Sequence, residues 1–250
     1  MSMLLQTNHY EVKFLVAGES GLIVEFGAGI SPQINALVQQ LSKMITERKI
    51  AGVWEVVPTY RSLAVYFDPL CITRSVLTGQ IKHLLAKMEP RETTAVSAKI
   101  IYIPVCYGGV FGPDLEYVAR YTGLSTAEVI RVHTAEPYLV YMLGFAPGFP
   151  YLGGVPEQLM VPRKEKPLAK VPVGSVGIAG NQTGLYPVET SGEWWLIGRT
   201  PVKAFMPQAQ QPFLVAPGDY IHFVRISIDE YFAIRREIAA GQYSPRISQQ

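Results

Sequence analysis

Cysteine is scarce in this chain: Cys71 and Cys106 are the only two among 250 residues. Two thiols cannot build a disulfide framework, and neither sits in a C-x-x-C pair or a Cys/His cluster that would suggest a metal. Histidine is nearly as rare. His9, His83, His133 and His222 are scattered, and no H-E-x-x-H occurs. No tightly bound metal is expected. An excess of one charge is also missing, with 22 Lys and Arg against 20 Asp and Glu and a net charge of +2. That balance gives no electrostatic case for nucleic acid or for a membrane surface. No apolar run reaches the roughly 18 residues that a membrane span needs. The opening MSMLLQTNHYEVKF has no charged n-region followed by an apolar h-region, so it does not read as a secretory signal. These absences lead to the expectation of a soluble, cytoplasmic protein.

What the chain does have is apolar material, 48% of its residues, with only 17% charged. That composition suits a sizeable packed core and not a disordered segment. It also has 22 glycines and 19 prolines, most of them between residues 101 and 218. This shift suggests two architectures, with a boundary near Met88 to Ala98, where the sequence is polar, holds Pro90 and shows no period. The expected domains are 1–95 and 96–250.

The first half reads as alternating strands and helices. Gly21 to Phe26 is a strand, and Ser31 caps a helix with Pro32 at its first position. Ile34, Leu37, Val38, Leu41 and Ile45 recur at helical spacing. Val53 to Val57 and Leu63 to Phe67 are strands a hairpin apart. Thr73 caps a second helix with Leu77, Ile81, Leu84, Leu85 and Met88 on one face. Lys99 to Ile103 completes a β-α-β-β-α-β order, the ferredoxin-like split βαβ arrangement.

In the second half, Pro113 and Asp114 open a helix that Gly123 ends. Ser125 and Glu128 form a capping box for the next. Short strands follow at Ser175 to Ala179, Gly184 to Pro187, Trp194 to Ile197 and Tyr220 to Ile226. Many short strands with frequent turn signals argue a closed or nearly closed β-barrel. A last helix is capped by Ser227 with Glu230. The fold class expected is α+β.

The densest run of unusual residues is Gly144 to Thr200. Gly permits positive φ and Pro fixes φ, so a segment rich in both specifies shaped loops, where sites sit. Arg163, Lys164 and Arg199 are interleaved there. They are either solvated rim charges or forks for a carboxylate or phosphate. Gly174, Gly177 and Gly180 read G-x-x-G-x-x-G, which is neither a P-loop nor a dinucleotide fingerprint. Any anion would be held there by a concavity of backbone N–H groups. Asn181, Gln182 and Thr183 would present amides and a hydroxyl, or complete a turn. Tyr138, Tyr141, Phe145, Phe149 and Tyr151 could line a pocket, though such aromatics are more often core. His133 shares an apolar face with Val129 and Ile130. It is a hydrogen-bonded core histidine on the plain reading and a general acid or base facing a cleft on the sharper one. The helix pair Asp114 to His133 imitates a DNA-reading helix-turn-helix but lacks base-reaching side chains.

IPVCYGG, GPDLEYVA, the Tyr138 to Gly154 block, VPVGSVGIAGNQTGLYP and IGRTP together resemble one family. It contains the B subunit of bacterial ATP-dependent 5-oxoprolinase, also called allophanate hydrolase subunit 1, and the kinase-inhibitor protein of sporulating bacilli. Members usually carry Gly-Gly-Gln where this chain has Gly180-Asn181-Gln182. They usually carry Pro-Gly-Gly-Trp where this chain has Thr190-Ser191-Gly192-Glu193-Trp194. The resemblance implies a cyclophilin-like β-barrel and kinship with the carboxyltransferase part of urea carboxylase. It implies opening of the 5-oxoproline lactam to L-glutamate with ATP and Mg, without biotin, alongside the A and C subunits. In that picture His133 and Arg163 are the catalytic residues, His133 transferring protons and Arg163 binding anionic charge. Gly174, Ser175, Gly180, Gln182, Thr183, Tyr186 and Arg199 bind substrate or anion. Three competing readings are binding and inhibition of a sensor histidine kinase, action on allophanate or another small amide, and a component whose site forms only against the C subunit.

Overall fold

The computed structural model describes residues 3–6, 11–29, 31–88 and 98–249. The linker stretch at 89–97 and His9 lie outside the described residues. Packing divides the chain into two units, Met1–Ala95 and Val96–Gln250.

The first unit runs β1 (Met3–Gln6), β2 (Glu11–Ala17), β3 (Gly21–Phe26), α1 (Pro32–Arg48), β4 (Val53–Pro58), β5 (Ser62–Phe67) and α2 (Arg74–Leu85). Its five strands form one antiparallel sheet in the order β1-β2-β3-β5-β4. Ser31 and Thr73 cap the two helices through their side chains, as their positions predict. Alternation in the strands turns Val12, Phe14, Leu22, Val24 and Phe26 inward. They meet Leu37, Val38, Leu41 and Ile45 of α1 and Leu77, Ile81, Leu84 and Leu85 of α2.

One strand departs from the expected order. The place beside β3 goes to β2, and the Lys99 strand leaves this sheet altogether. It extends to Tyr107 as β6 (Lys99–Tyr107) and belongs to the second unit. Its alternation fixes which face is buried but not which sheet supplies its neighbour. A long parallel ladder to the strand at Tyr220–Ile226 decides the matter, pairing every residue from Ile100 to Cys106.

The second unit continues with α3 (Leu115–Thr122), α4 (Thr126–His133), β7 (Tyr138–Leu143), β8 (Pro150–Gly153), β9 (Leu168–Val171), β10 (Ser175–Ala179), β11 (Gln182–Leu185), β12 (Thr190–Gly192), β13 (Trp195–Arg199), β14 (Tyr220–Ile226), α5 (Ile228–Ala239) and β15 (Ile247–Gln249). The order β13-β10-β11-β8-β7-β14-β6 closes on itself through a β13–β6 pairing. This is the closed barrel that the cyclophilin-like expectation calls for. β15 adds to the outside of β6, and β9 pairs with β12 as a separate ribbon. Ile101, Ile103, Val105, Val140, Leu152, Val176, Ile178, Ile197, Ile221 and Phe223 fill the interior. Both predicted capping boxes are present, at Ser125–Glu128 and Ser227–Glu230.

Asp114 does not cap α3, although it stands at the N-cap position. Its carboxylate accepts from Lys164 Nζ at 2.8–2.9 Å and from the Leu196 N–H at 2.7 Å. The residue thus ties the helix start to β13 and to the Pro162–Lys164 segment.

Candidate functional site

A cleft of about 210 Å³ opens on the second unit. Its walls come from the β7–β8 turn (Phe145, Phe149), β8 (Tyr151), the turn after β11 (Tyr186) and the segment from Ser191 to Trp194. Arg163 and Pro167 complete it. The aromatic rings hold one another edge to face: Phe149 lies 5.1 Å from Tyr151, 5.1 Å from Tyr186 and 5.4 Å from Trp194. Such contacts fix ring positions more tightly than apolar packing alone. Gly192 is required at this wall, because a Cβ there would stand 2.5 Å from the Tyr186 hydroxyl.

Arg163 is the cation of the cleft. Its side chain is 54% exposed and meets Glu193 at 3.4 Å and the Gln182 side-chain oxygen at 3.4 Å. Both contacts are long for charge-assisted bonds, so the guanidinium is loosely engaged. Burial pushes the Tyr186 phenol up to about 12, against a smaller opposing pull from Arg163. Burial raises Tyr151 in the same way. Both phenols therefore enter the cleft as neutral groups that can donate a hydrogen bond.

His133 is elsewhere. The expectation that it faces a cleft is corrected: it is fully buried, stacked on Phe223 at 4.7 Å. Thr183 Oγ1 donates its hydrogen to the Gly177 carbonyl at 3.0 Å, so it accepts from His133 Nε2–H at 2.8 Å. The other nitrogen, Nδ1, then accepts from the Tyr107 phenol at 2.8 Å. The result is a closed relay of donors and acceptors with a neutral imidazole in its middle. Burial lowers the His133 pKa to about 3. Thr183 shares this fate: its hydroxyl points into the barrel and not toward a ligand.

The glycine loop is corrected as well. The Gly174 N–H donates to the Tyr186 carbonyl at 2.7 Å, Ser175 N–H to Pro172 at 3.1 Å and Gly180 N–H to Val161 at 2.6 Å. Gly177 is inside β10, paired on both sides. The amides expected to cradle an anion are consumed by the barrel and its turns. Gly174 owes its identity to geometry, since φ is +80° and a Cβ would collide with the Thr200 carbonyl. Ser175 is fully buried on β10, directly across from Arg199 on β13. Arg199 packs against Phe111 at 6.0 Å and reaches the Val110 carbonyl at 3.5 Å.

Of the expected site residues, the structure places Arg163 and Tyr186 in the cleft lining, and Gln182 touches Arg163 from outside that lining. His133 and Thr183 go to the barrel interior. Gly174, Ser175, Gly180 and Arg199 go to its wall and turns. Phe145, Phe149 and Tyr151 line the cleft, while Tyr138 is packed beside His133 with its phenol on the His133 carbonyl at 3.1 Å. Sequence reasoning missed Trp194 and Glu193 as cleft residues. The signal available was the Ser-Gly-Glu-Trp turn, where a charge and a large ring flank a glycine. Among the described residues, no group of three His, Cys, Asp or Glu side chains could hold a metal ion. No helix there is long and apolar enough to cross a membrane.

Residues 12–215 match the family described as "Carboxyltransferase domain, subdomain C and D". The chain belongs to this family. It is 43% identical over 241 residues to the 5-oxoprolinase B subunit of Bacillus subtilis (strain 168), covering 92% of this chain and 99% of that protein. The crystal structure of TTHA0988 superposes with a TM-score of 0.74 at 34% identity, over 83% of this chain. This chain spans 40% of that longer polypeptide. The K. lactis urea amidolyase superposes with a TM-score of 0.82 over 99% of this chain, which spans 17% of that enzyme. At 18% identity that last likeness speaks for the fold alone. The curated relatives at 39–43% identity are named as 5-oxoprolinase B subunits, which favours that reading over the kinase-inhibitor one. The same fold occurs both as a separate subunit and within longer polypeptides.

Proposed function

We propose that this chain is the B subunit of an ATP-dependent 5-oxoprolinase and works with the A and C subunits to open the 5-oxoproline lactam to L-glutamate. The observation that carries this reading is the 43% identity to a 5-oxoprolinase B subunit across 99% of that protein. The chemistry of the cleft supports it. 5-Oxoproline is a small flat amide ring with one carboxylate. A cleft with aromatic walls and one half-exposed arginine complements both parts. Arg163 would take the carboxylate, leaving Glu193 to solvent, and the rings of Phe149, Tyr186 and Trp194 would flank the lactam.

ATP does not fit the residues of this cleft. A triphosphate needs several cations or a cradle of free amides. The cleft has one arginine, faced by Glu193, and the glycine loop's amides are already bonded. We therefore assign this chain the binding and orientation of the cyclic amide, and assign nucleotide binding to another component of the complex. Holding the ring in place contributes through positioning.

Arg163→Ala tests the reading. In a complex assembled from all three components, the variant should raise the KM for 5-oxoproline roughly 10- to 100-fold, the scale of one lost charge-assisted hydrogen-bond pair. Its KM for ATP should stay put. Unchanged KM for 5-oxoproline, or an equal loss for both substrates, would remove Arg163 from the carboxylate.

A further inference from the structure

One cleft residue stands in a conformation that its side chain disfavours. Phe145 has φ of +63°, one of only two non-glycine residues with positive φ among the described residues. The Ala146 N–H bonds the Gly144 carbonyl at 2.7 Å around it, closing a three-residue turn. With positive φ at its centre, this is the rare and strained γ-turn form. Bulky residues are genuine outliers there.

The frame around Phe145 explains how the strain persists. Gly144 N–H bonds the Phe149 carbonyl at 3.1 Å, and Phe149 N–H bonds the Ala146 carbonyl at 3.0 Å. At Gly148 there is no room for a side chain: a Cβ would stand 3.0 Å from Phe205 and 3.3 Å from Phe213, which stack at 5.4 Å. The turn is thus braced at both ends, and strain that the surroundings over-determine is characteristic of ligand clamps. The Phe145 ring gains little from all this. It is 64% exposed at the mouth of the cleft and touches Phe149 only edge on, at 5.8 Å.

We propose that Phe145 is the cap of the cleft: its ring closes over a small flat amide ring whose carboxylate is held by Arg163, and it selects for ligands of that size and shape. The inference rests on the cleft being the substrate site, as argued above. Three walls are already present in Phe149, Tyr186 and Trp194, and Phe145 supplies the side that is open. At about 210 Å³ the cleft is small beside the roughly 300–1,000 Å³ of sites for drug-sized molecules, so a single ring fills it. A side chain that is solvated without ligand and buried with it would discriminate by contact, which appears in KM before kcat.

The test uses Phe145→Gly and Phe145→Tyr. Glycine relieves the backbone strain while removing the ring, so the variant should fold and melt at or above the wild-type temperature. In the assembled complex, Phe145→Gly should raise the KM for 5-oxoproline roughly tenfold, with kcat changed far less. Phe145→Tyr, which keeps a ring at this position, should raise KM less than Phe145→Gly does. Calorimetric titration of the free chain with 5-oxoproline should show the same order. If the wild-type complex turns over and Phe145→Gly leaves KM and Kd unchanged, the cap is overturned and the substrate assignment stands. If no complex turns over but the free chain binds 5-oxoproline and loses affinity in Phe145→Gly, the cap stands and the activity assignment falls. Absence of both binding and turnover in wild type overturns both.

Discussion

Arg163 and Lys164 are adjacent in sequence and equal in charge, yet they serve different regions. Lys164 turns into the barrel wall. Its ammonium is 2.8 Å from Asp114, with side chains only 12% and 16% exposed, and it lies 4.7 Å from the Trp195 ring centre. Arg163 turns into the cleft, where its pair with Glu193 at 3.4 Å has side chains 54% and 44% exposed. Screening by water separates the two. A desolvated pair fixes structure, and removing one partner is expensive. An exposed pair is worth little and can be exchanged for a ligand's charge. The same contrast separates His133 from Arg163. Each has two polar partners, but those of His133 are short and sealed, while those of Arg163 are long and open.

The barrel interior should break first. His133→Ala removes a fully buried ring and leaves Tyr107 and Thr183 without their shared partner. A loss of about 3–5 kcal/mol is expected in denaturant unfolding, the range for large buried aromatic truncations. Acid should expose the same residue. The folded pKa of about 3 lies below the ordinary 6.5, so below pH 6.5 the unfolded chain takes up a proton that the native state refuses. From this group, stability falls by about 1.4 kcal/mol per pH unit between pH 6.5 and pH 3, and is unaffected above pH 6.5. His133→Gln should show a shallower acid slope than wild type. Equal slopes would mean that the imidazole is not held neutral.

The wall clamp comes next. Asp114→Ala would strand the Lys164 ammonium and the Leu196 N–H together. About 2–3 kcal/mol should be lost, less than for a fully buried pair because some water reaches both side chains. A loss under about 0.5 kcal/mol would place this pair with the surface ones, and the contrast between the two neighbours would disappear.

The distinction between regions is only partly written in the sequence. Local signals were legible: Ser31, Thr73, Ser125 and Ser227 cap the helices that their positions predict, because a cap acts within three residues. The closed barrel was legible from turn spacing, and Arg163 was legible as a candidate cation in a loop-rich run. What escaped depended on distant partners. Lys99–Tyr107 reads as a strand, but its neighbour β14 lies over a hundred residues away. His133 and Arg163 both look reactive on paper, and burial alone tells them apart. Asp114 is correctly placed at a helix start, yet its carboxylate is drawn across to Lys164 and Leu196. The glycines of Gly174 to Gly180 left open a concavity of free amides, but strand pairing and turn bonds take those amides.

The smallest effect is the most discriminating, because it falls on the pair next to the clamp. Glu193→Gln removes the carboxylate facing Arg163 and keeps the shape of the side chain. The backbone is untouched: the Glu193 carbonyl still accepts from the Lys164 N–H at 2.8 Å. The side chains are half exposed and the contact is long. Unfolding free energy should therefore change by less than about 0.5 kcal/mol, with little dependence on salt. A loss above about 1 kcal/mol would mean that Glu193 locks Arg163 in place. A ligand carboxylate would then have to break a structural bond to reach the guanidinium. With stability unchanged, Arg163 is a cation whose neighbour Lys164 is tied to Glu193 through the backbone and whose own tip is loosely engaged, as the proposed carboxylate binding requires.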